Sequence, residues 1–206
     1  MFAELPDFPE NEDSTTEILS TEEGTKDTAW LKKVVSRVTD QRYMSDDGQN
    51  WELDEPDVKE VTEYTYKNYK AACEDQGIDC LLRNDFEQDG TTVFRNTHFM
   101  GEEMEDVSDL EAVFRYGSGK FELHQSYDSE GQAGQHVLIT STKGVSNQRE
   151  YISESGETFA LSDDTETGDK RTTTMVTYGK YRAILTFTDM AEEEIHEVLD
   201  TVSINE

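Results

Sequence analysis

The stretch Leu110–Tyr127, LEAVFRYGSGKFELHQSY, decides the fold class. Leu110, Ala112, Phe114 and Tyr116 fall on one parity, and after Gly117–Lys120 the pattern resumes with Phe121, Leu123 and Tyr127. A period of two puts successive side chains on opposite faces of a strand, whereas a helix repeats its apolar face every three to four residues. Two such segments joined by the glycine-rich link GSGK read as a β-hairpin.

The same period extends in both directions. Strands are expected at Thr91–Met100, His136–Thr142, Gln148–Ser153, Thr158–Leu161, Thr172–Tyr178 and Tyr181–Thr188. Glycine-containing turns such as TKGVSN and SESG separate them, and Tyr178–Gly179–Lys180 marks a tight reversal. About eight consecutive strands with short links imply an antiparallel meander.

Helices are expected on either side of this block. Trp30, Val34 and Val38 repeat at i, i+4 and i+8, which predicts a helix over 29–44, with a strand reading of VVSRV as the rival. A second helix is expected from Pro56 to about Gln76, closed by Gly77 as a left-handed C-cap. The third begins at Asp189, with Glu192 three residues on in the form of a capping box; Met190, Ala191, Ile195, Val198, Leu199 and Val202 make its buried stripe. The expected fold class is therefore α+β, an antiparallel meander with two N-terminal helices and one C-terminal helix packed on it. Residues 1–28 hold nine acids against one base, Lys26, and no periodic apolar face, so they read as a flexible acidic tether to a single domain over 29–206.

The 206 residues carry 18 Lys+Arg against 47 Asp+Glu, a net charge of -29. That charge repels nucleic-acid backbones and anionic lipid surfaces, so neither is expected as a partner. Nine Phe, nine Tyr and two Trp supply bulky rings for a core although hydrophobic residues make up only 33%. The opening MFAELPDFPENEDS has neither a basic n-region nor an apolar h-region. Two readings stay open: a cytoplasmic protein, or a chain whose signal or membrane anchor lies upstream of Met1.

Candidate chemistry is sparse. Cys73 and Cys80 in CEDQGIDC are too far apart for a CxxC motif and suit either a small-loop disulfide or two free thiols. Asp85, Glu87 and Asp89, followed by Gly90, match the opening of a calcium loop, but Asn96 stands where a bidentate Glu is needed, leaving at most a weak cation loop. GSGK lacks the upstream glycine and following hydroxyl of a phosphate loop. His196–Glu197 opens like a zinc-protease helix, but Asp200 replaces the second histidine; His98, His124 and His136 would meet only if the sheet brought them together. Tyr116, Tyr127, Tyr151, Tyr178 and Tyr181 would line either a groove or the core rim. No nucleophile motif is present, so no catalytic residue and no cofactor is expected.

The segments REYISESGETFALSDD (149–164), RTTTMVTYGKYRAILTFTD (171–189) and MAEEEIHEVLDTVSI (190–204), with GIDCLLRNDF (77–86) before the sheet, form a strand–turn–strand–helix pattern. It resembles the extracytoplasmic domain of unknown function in Gram-positive, membrane-anchored anti-sigma-factor-like and lipoprotein-like proteins. The resemblance implies a non-enzymatic sensor or interaction module at the cell surface, anchored upstream, whose partner is a protein or small ligand. It assigns no functional residue. The alternatives are a cytoplasmic acidic protein that binds basic partners, and a hydrolase. A halophile's surface charge would account for -29 without either.

Overall fold

The computed structural model describes residues 15–26, 28–39, 42–44, 51–53, 57–99, 107–128, 145–164, 169–178 and 181–202. The strands are β1 (Thr15–Lys26), β2 (Ala29–Thr39), β3 (Arg42–Met44), β4 (Trp51–Leu53), β5 (Asp57–Tyr66), β6 (Glu87–Gln88), β7 (Thr92–Phe99), β8 (Val107–Tyr116), β9 (Gly119–Asp128), β10 (Val145–Ile152), β11 (Thr158–Asp164), β12 (Arg171–Tyr178) and β13 (Tyr181–Thr188). Two eight-residue helices accompany them, α1 (Tyr69–Gln76) and α2 (Glu192–Leu199).

One antiparallel sheet runs β1-β2-β5-β7-β8-β9-β13-β12-β11-β10, with β6 on β8, while β3 and β4 form a separate pair. It is two meanders rather than one. The first proceeds outward from β1 to β9; the second, β10 to β13, folds back so that its last strand lies against β9. β6 and β7 both pair with β8, separated by the irregular Asp89–Thr91, where the Asp89 amide donates to the Val113 carbonyl at 2.8 Å.

The α+β expectation with two N-terminal helices is overturned. Residues 29–39 are β2, and the segment expected as a long second helix is β5 followed by the short α1. The reason lies in the spacing used. Residues at i, i+4 and i+8 share a helix face, but four and eight are also even, so the same residues share a strand face. Val34, Val35, Val38 and Thr39 are β-branched, and their stiff side chains tip the balance toward the strand. In the second segment β-branched Val58, Val61, Thr62 and Thr65 hold the strand as far as Tyr66. Asn68 then caps α1, its Oδ1 accepting from the Ala71 amide at 2.9 Å, and Gly77 at φ 65° ends it as expected. Residues 15–26, read from sequence as part of the acidic tether, are β1, paired along β2. The strand expected at His136–Thr142 lies outside the described residues.

Both helices pack on one face of the sheet. Cross-strand pairing sets Phe114, Phe121 and Phe187 in one row, with ring centroids 4.9 and 6.0 Å apart. Phe86 stands edge-on to Phe114, Tyr116 and Phe121. The next row is Ala112, Leu123, Leu185, Thr174 and Leu161. From above, Tyr69, Ala72 and Cys73 of α1 and Ile195, Val198 and Leu199 of α2 close the core. Each fully buried ring or leucine contributes roughly 1.5–3 kcal/mol. The segments beyond the two helices meet, Leu82 bridging Val202, and the Arg83 amide donating to the Thr201 carbonyl at 3.0 Å.

The N-cap of α2 is Ala191, not Asp189; the Glu194 carboxylate accepts the Ala191 amide at 2.8 Å. That carboxylate also takes the Ser118 amide at 2.9 Å and hydroxyl at 2.6 Å, pinning the β8–β9 turn to the helix. Glycine is required at this turn: a Cβ on Gly119 would lie 2.1 Å from the Thr188 carbonyl oxygen.

Candidate functional site

Antiparallel sheets commonly bury one face and leave the other wet. Here the second face, across β1, β2, β5, β7 and β8, carries a row of alternating charge. Glu23 lies opposite Lys32, Lys32 opposite Glu63, Glu63 opposite Arg95, and Arg95 opposite Asp109. Opposite charges facing each other fix strand register as well as adding modest stability.

The row is densest around Arg95. Its guanidinium reaches Glu63 Oε2 at 3.0 Å, Asp109 Oδ1 at 3.4 Å and Glu111 Oε2 at 3.1 Å. Glu111 stands directly opposite His124, whose Nε2 is 3.8 Å from Asp109 Oδ1. One ligand atom each from Asp109, Glu111 and His124 lies within 4.8 Å of the others. Burial pushes the Asp109 carboxyl above its ordinary value, against the pull of His124 and Arg95. Two carboxylates and an imidazole on adjacent strands are a donor set that suits a borderline divalent cation such as zinc. Arg95 already neutralises both carboxylates, however, and a cation would have to displace it. As the side chains stand, the group is an ion-pair network.

The pair Glu111–His124 follows from the turn. With Gly117–Ser118 as a two-residue turn, Tyr116 pairs with Gly119 and Glu111 with His124. The four-residue GSGK link expected from sequence would instead set His124 against Val113. His98 sits on β7 opposite Glu60, on the other face from His124, and His136 lies outside the described residues. The histidine grouping weighed from sequence is therefore not what gathers here, and Arg95 was missed. Its only signal was a base in a strand flanked by acid-bearing strands.

The three carboxylates of the weak cation loop are dispersed. Asp85 pairs with Lys70 at 2.5 Å, Asp89 with Arg115 at 2.8 Å, and Glu87 is exposed on β6. Of the five tyrosines, Tyr116 donates to Glu197 at 2.6 Å and Tyr151 to Asp200 at 2.8 Å, both anchoring α2. Tyr151 also stacks on His196, with centroids 3.8 Å apart and planes 6° from parallel. The side chains of Tyr127, Tyr178 and Tyr181 lie outside the described residues.

At the helix face, Arg149 makes a two-pronged contact with Glu192, both bonds 2.6 Å, and a third to Asp163 at 3.0 Å. The Arg149 bonds hold the Glu192 carboxyl below its ordinary range. Cys73 is buried in α1, and Cys80 is half-buried in the loop beyond Gly77; both are free thiols. No helix among the described residues is long and apolar enough to cross a membrane. Comparison with family models, with curated proteins and with solved structures finds no match to the chain.

Proposed function

We propose that this chain is a non-enzymatic interaction module that works outside the cytoplasm of a bacterial cell, held to the membrane by a segment upstream, as the resemblance of its last third implies. Its partner is a protein, met through the sheet face that the helices leave bare. The observation that supports this reading is the unequal treatment of the two faces. One is filled by packed rings under two helices; the other carries the charged row from Glu23 to Asp109, partly open to solvent, with neither helix over it. A sheet with an ordered, partly exposed ionic row suits docking, where charge complementarity sets partner choice and encounter rate.

The test has two arms. Protease added to intact cells bearing the full gene product digests this domain. A photo-crosslinking residue at Val113, on the bare face, gives a discrete protein adduct, while one at Glu193, on the exposed side of α2, gives none. Protection of the domain until the cells are lysed, or adducts from Glu193 alone, overturns the proposal.

A further inference from the structure

The two cysteines are brought together by the end of α1. Gly77, at φ 65°, turns the chain back so that its own amide and that of Ile78 both donate to the Cys73 carbonyl, the latter at 3.0 Å. The returning segment brings Cys80 back beside the last turn of the helix, which carries Cys73. The loop is clamped on both sides of Cys80. The Asp79 carbonyl accepts from Gln125 Nε2 at 3.2 Å, and the Leu81 amide donates to the Tyr69 hydroxyl at 2.8 Å. Cys80 is therefore held beside α1 by one bond to β9 and one to the helix itself, not by chance proximity of a loose loop.

The two thiols are unequal. Cys73 is 2% exposed, and Cys80 is only partly buried. The neighbouring Cys80 and burial both push the Cys73 thiol well up. The neighbouring Cys73, aided by the Lys70 ammonium, draws the Cys80 thiol down in spite of partial burial. An accessible thiol that ionises first, backed by a buried one in contact, is the arrangement that thiol–disulfide exchange requires.

We propose that Cys73 and Cys80 are a reversible dithiol–disulfide pair, with Cys80 the attacking and Cys73 the resolving thiol, and that the oxidant is a small-molecule disulfide of the glutathione class. The Cys80 thiolate attacks one sulfur of the disulfide; the S–S bond breaks, one thiolate leaves, and a mixed disulfide forms on Cys80. Cys73 gives up its proton, its sulfur attacks the Cys80 sulfur, and the second small thiolate departs with that proton. Two protein thiols are oxidised, and one external disulfide is reduced to two thiols. The pair rests on its own geometry and is independent of the docking proposal.

The full chain, reduced and then equilibrated over a series of ratios of reduced to oxidised glutathione, is quenched with N-ethylmaleimide and weighed intact. The expected change is from a monomer carrying two alkyl groups to an unalkylated monomer two hydrogens lighter than the reduced, unalkylated chain. Brief alkylation of the reduced wild type, followed by peptide mapping, labels Cys80 on the order of tenfold faster than Cys73. Cys73→Ser accumulates the glutathione adduct at Cys80, whereas Cys80→Ser stays unmodified. Two thiols that remain alkylatable at every ratio, faster labelling of Cys73, or oxidation only to intermolecular dimers overturns the proposal. The wild-type mass and mapping results decide it even if a serine variant fails to fold.

Discussion

Tyr69→Phe isolates a single buried oxygen. The Tyr69 side chain is 4% exposed, and its ring packs edge-on to Phe114 with centroids 5.9 Å apart, a contact phenylalanine keeps. The hydroxyl accepts from the Leu81 amide at 2.8 Å and donates to Gln125 Oε1 at 3.2 Å. Gln125 in turn holds the Asp79 carbonyl. Removing the oxygen leaves the amide of Leu81, a fully buried residue, without its acceptor, which costs about 1–3 kcal/mol. The lost bond to Gln125 adds about 1 kcal/mol, for a total of about 2–4 kcal/mol. With a urea slope near 3 kcal/mol per molar for a chain of this size, the unfolding midpoint falls by about 1 M. The assay is urea unfolding followed by far-UV circular dichroism, with hydrogen exchange of the Leu81 amide as the local readout. Because both partners belong to one hub, Tyr69→Phe and Gln125→Leu combine with less than the sum of their separate losses. A midpoint shift below about 0.2 M, unchanged Leu81 protection, or strict additivity refutes the hub.

Other substitutions probe the turn, the ionic face and the seat of α2. Gly119→Ala forces a Cβ to within 2.1 Å of the Thr188 backbone and lowers stability by about 3 kcal/mol, while Gly24→Ala, with nothing within 4 Å, leaves the urea midpoint unchanged; equal effects would discredit the close approach. Arg95→Met removes the guanidinium that Asp109 and Glu111 share. A carboxyl whose folded pKa is raised destabilises the fold once ionised, so the stability gap from wild type is widest at pH 7 and narrows by about pH 4; a gap that widens on acidification contradicts this. Glu192 has the opposite sign. Its folded pKa is lowered, so its contribution is present above the unfolded value near 4.3 and is lost as pH falls through the folded value. Acid-induced loosening of α2 below about pH 4, seen in hydrogen exchange of the helix, should largely disappear from the profile of Arg149→Met, and an unchanged acid limb refutes that assignment.

How much of this was legible in the sequence depends on whether a signal was local. The β12–β13 hairpin, Gly77 as a C-cap and the apolar stripe of α2 each follow from residues within a few positions of one another, and each holds in the structure except that Ala191, expected in the stripe, is the exposed N-cap. The elements from 29 to 66 did not, because an even-numbered repeat such as Trp30, Val34 and Val38 serves helix and strand alike, and only β-branching separates them. Sheet order was beyond local reading altogether. The placement of β13 against β9 brings residues more than fifty positions apart into register, so nothing near either strand announces it. The Arg95 network is intermediate. Glu111 and His124 become opposite once the turn is known to have two residues, but Arg95 and Glu63 enter only with the order β5-β7-β8.

The network also explains how a chain with a net charge of -29 keeps a wide sheet in register. Among the described residues Arg95 touches three carboxylates and Arg149 two, while other bases such as Lys33 and Arg115 each hold one. Paired and surplus carboxylates respond differently to salt. Contacts such as Arg149–Glu192 at 2.6 Å are shorter than the screening length even near 1 M salt, about 3 Å, and are partly shielded from water. Repulsion among the unpaired carboxylates acts over longer distances and is screened strongly, since the screening length is already about 10 Å at 0.1 M. Raising potassium chloride from roughly 0.05 to 1 M therefore weakens repulsion more than attraction, and the urea midpoint rises. A midpoint that falls over that range would mean that the cross-strand pairs, not the surplus acids, dominate the electrostatic free energy, and the division drawn between paired and unpaired carboxylates would be wrong.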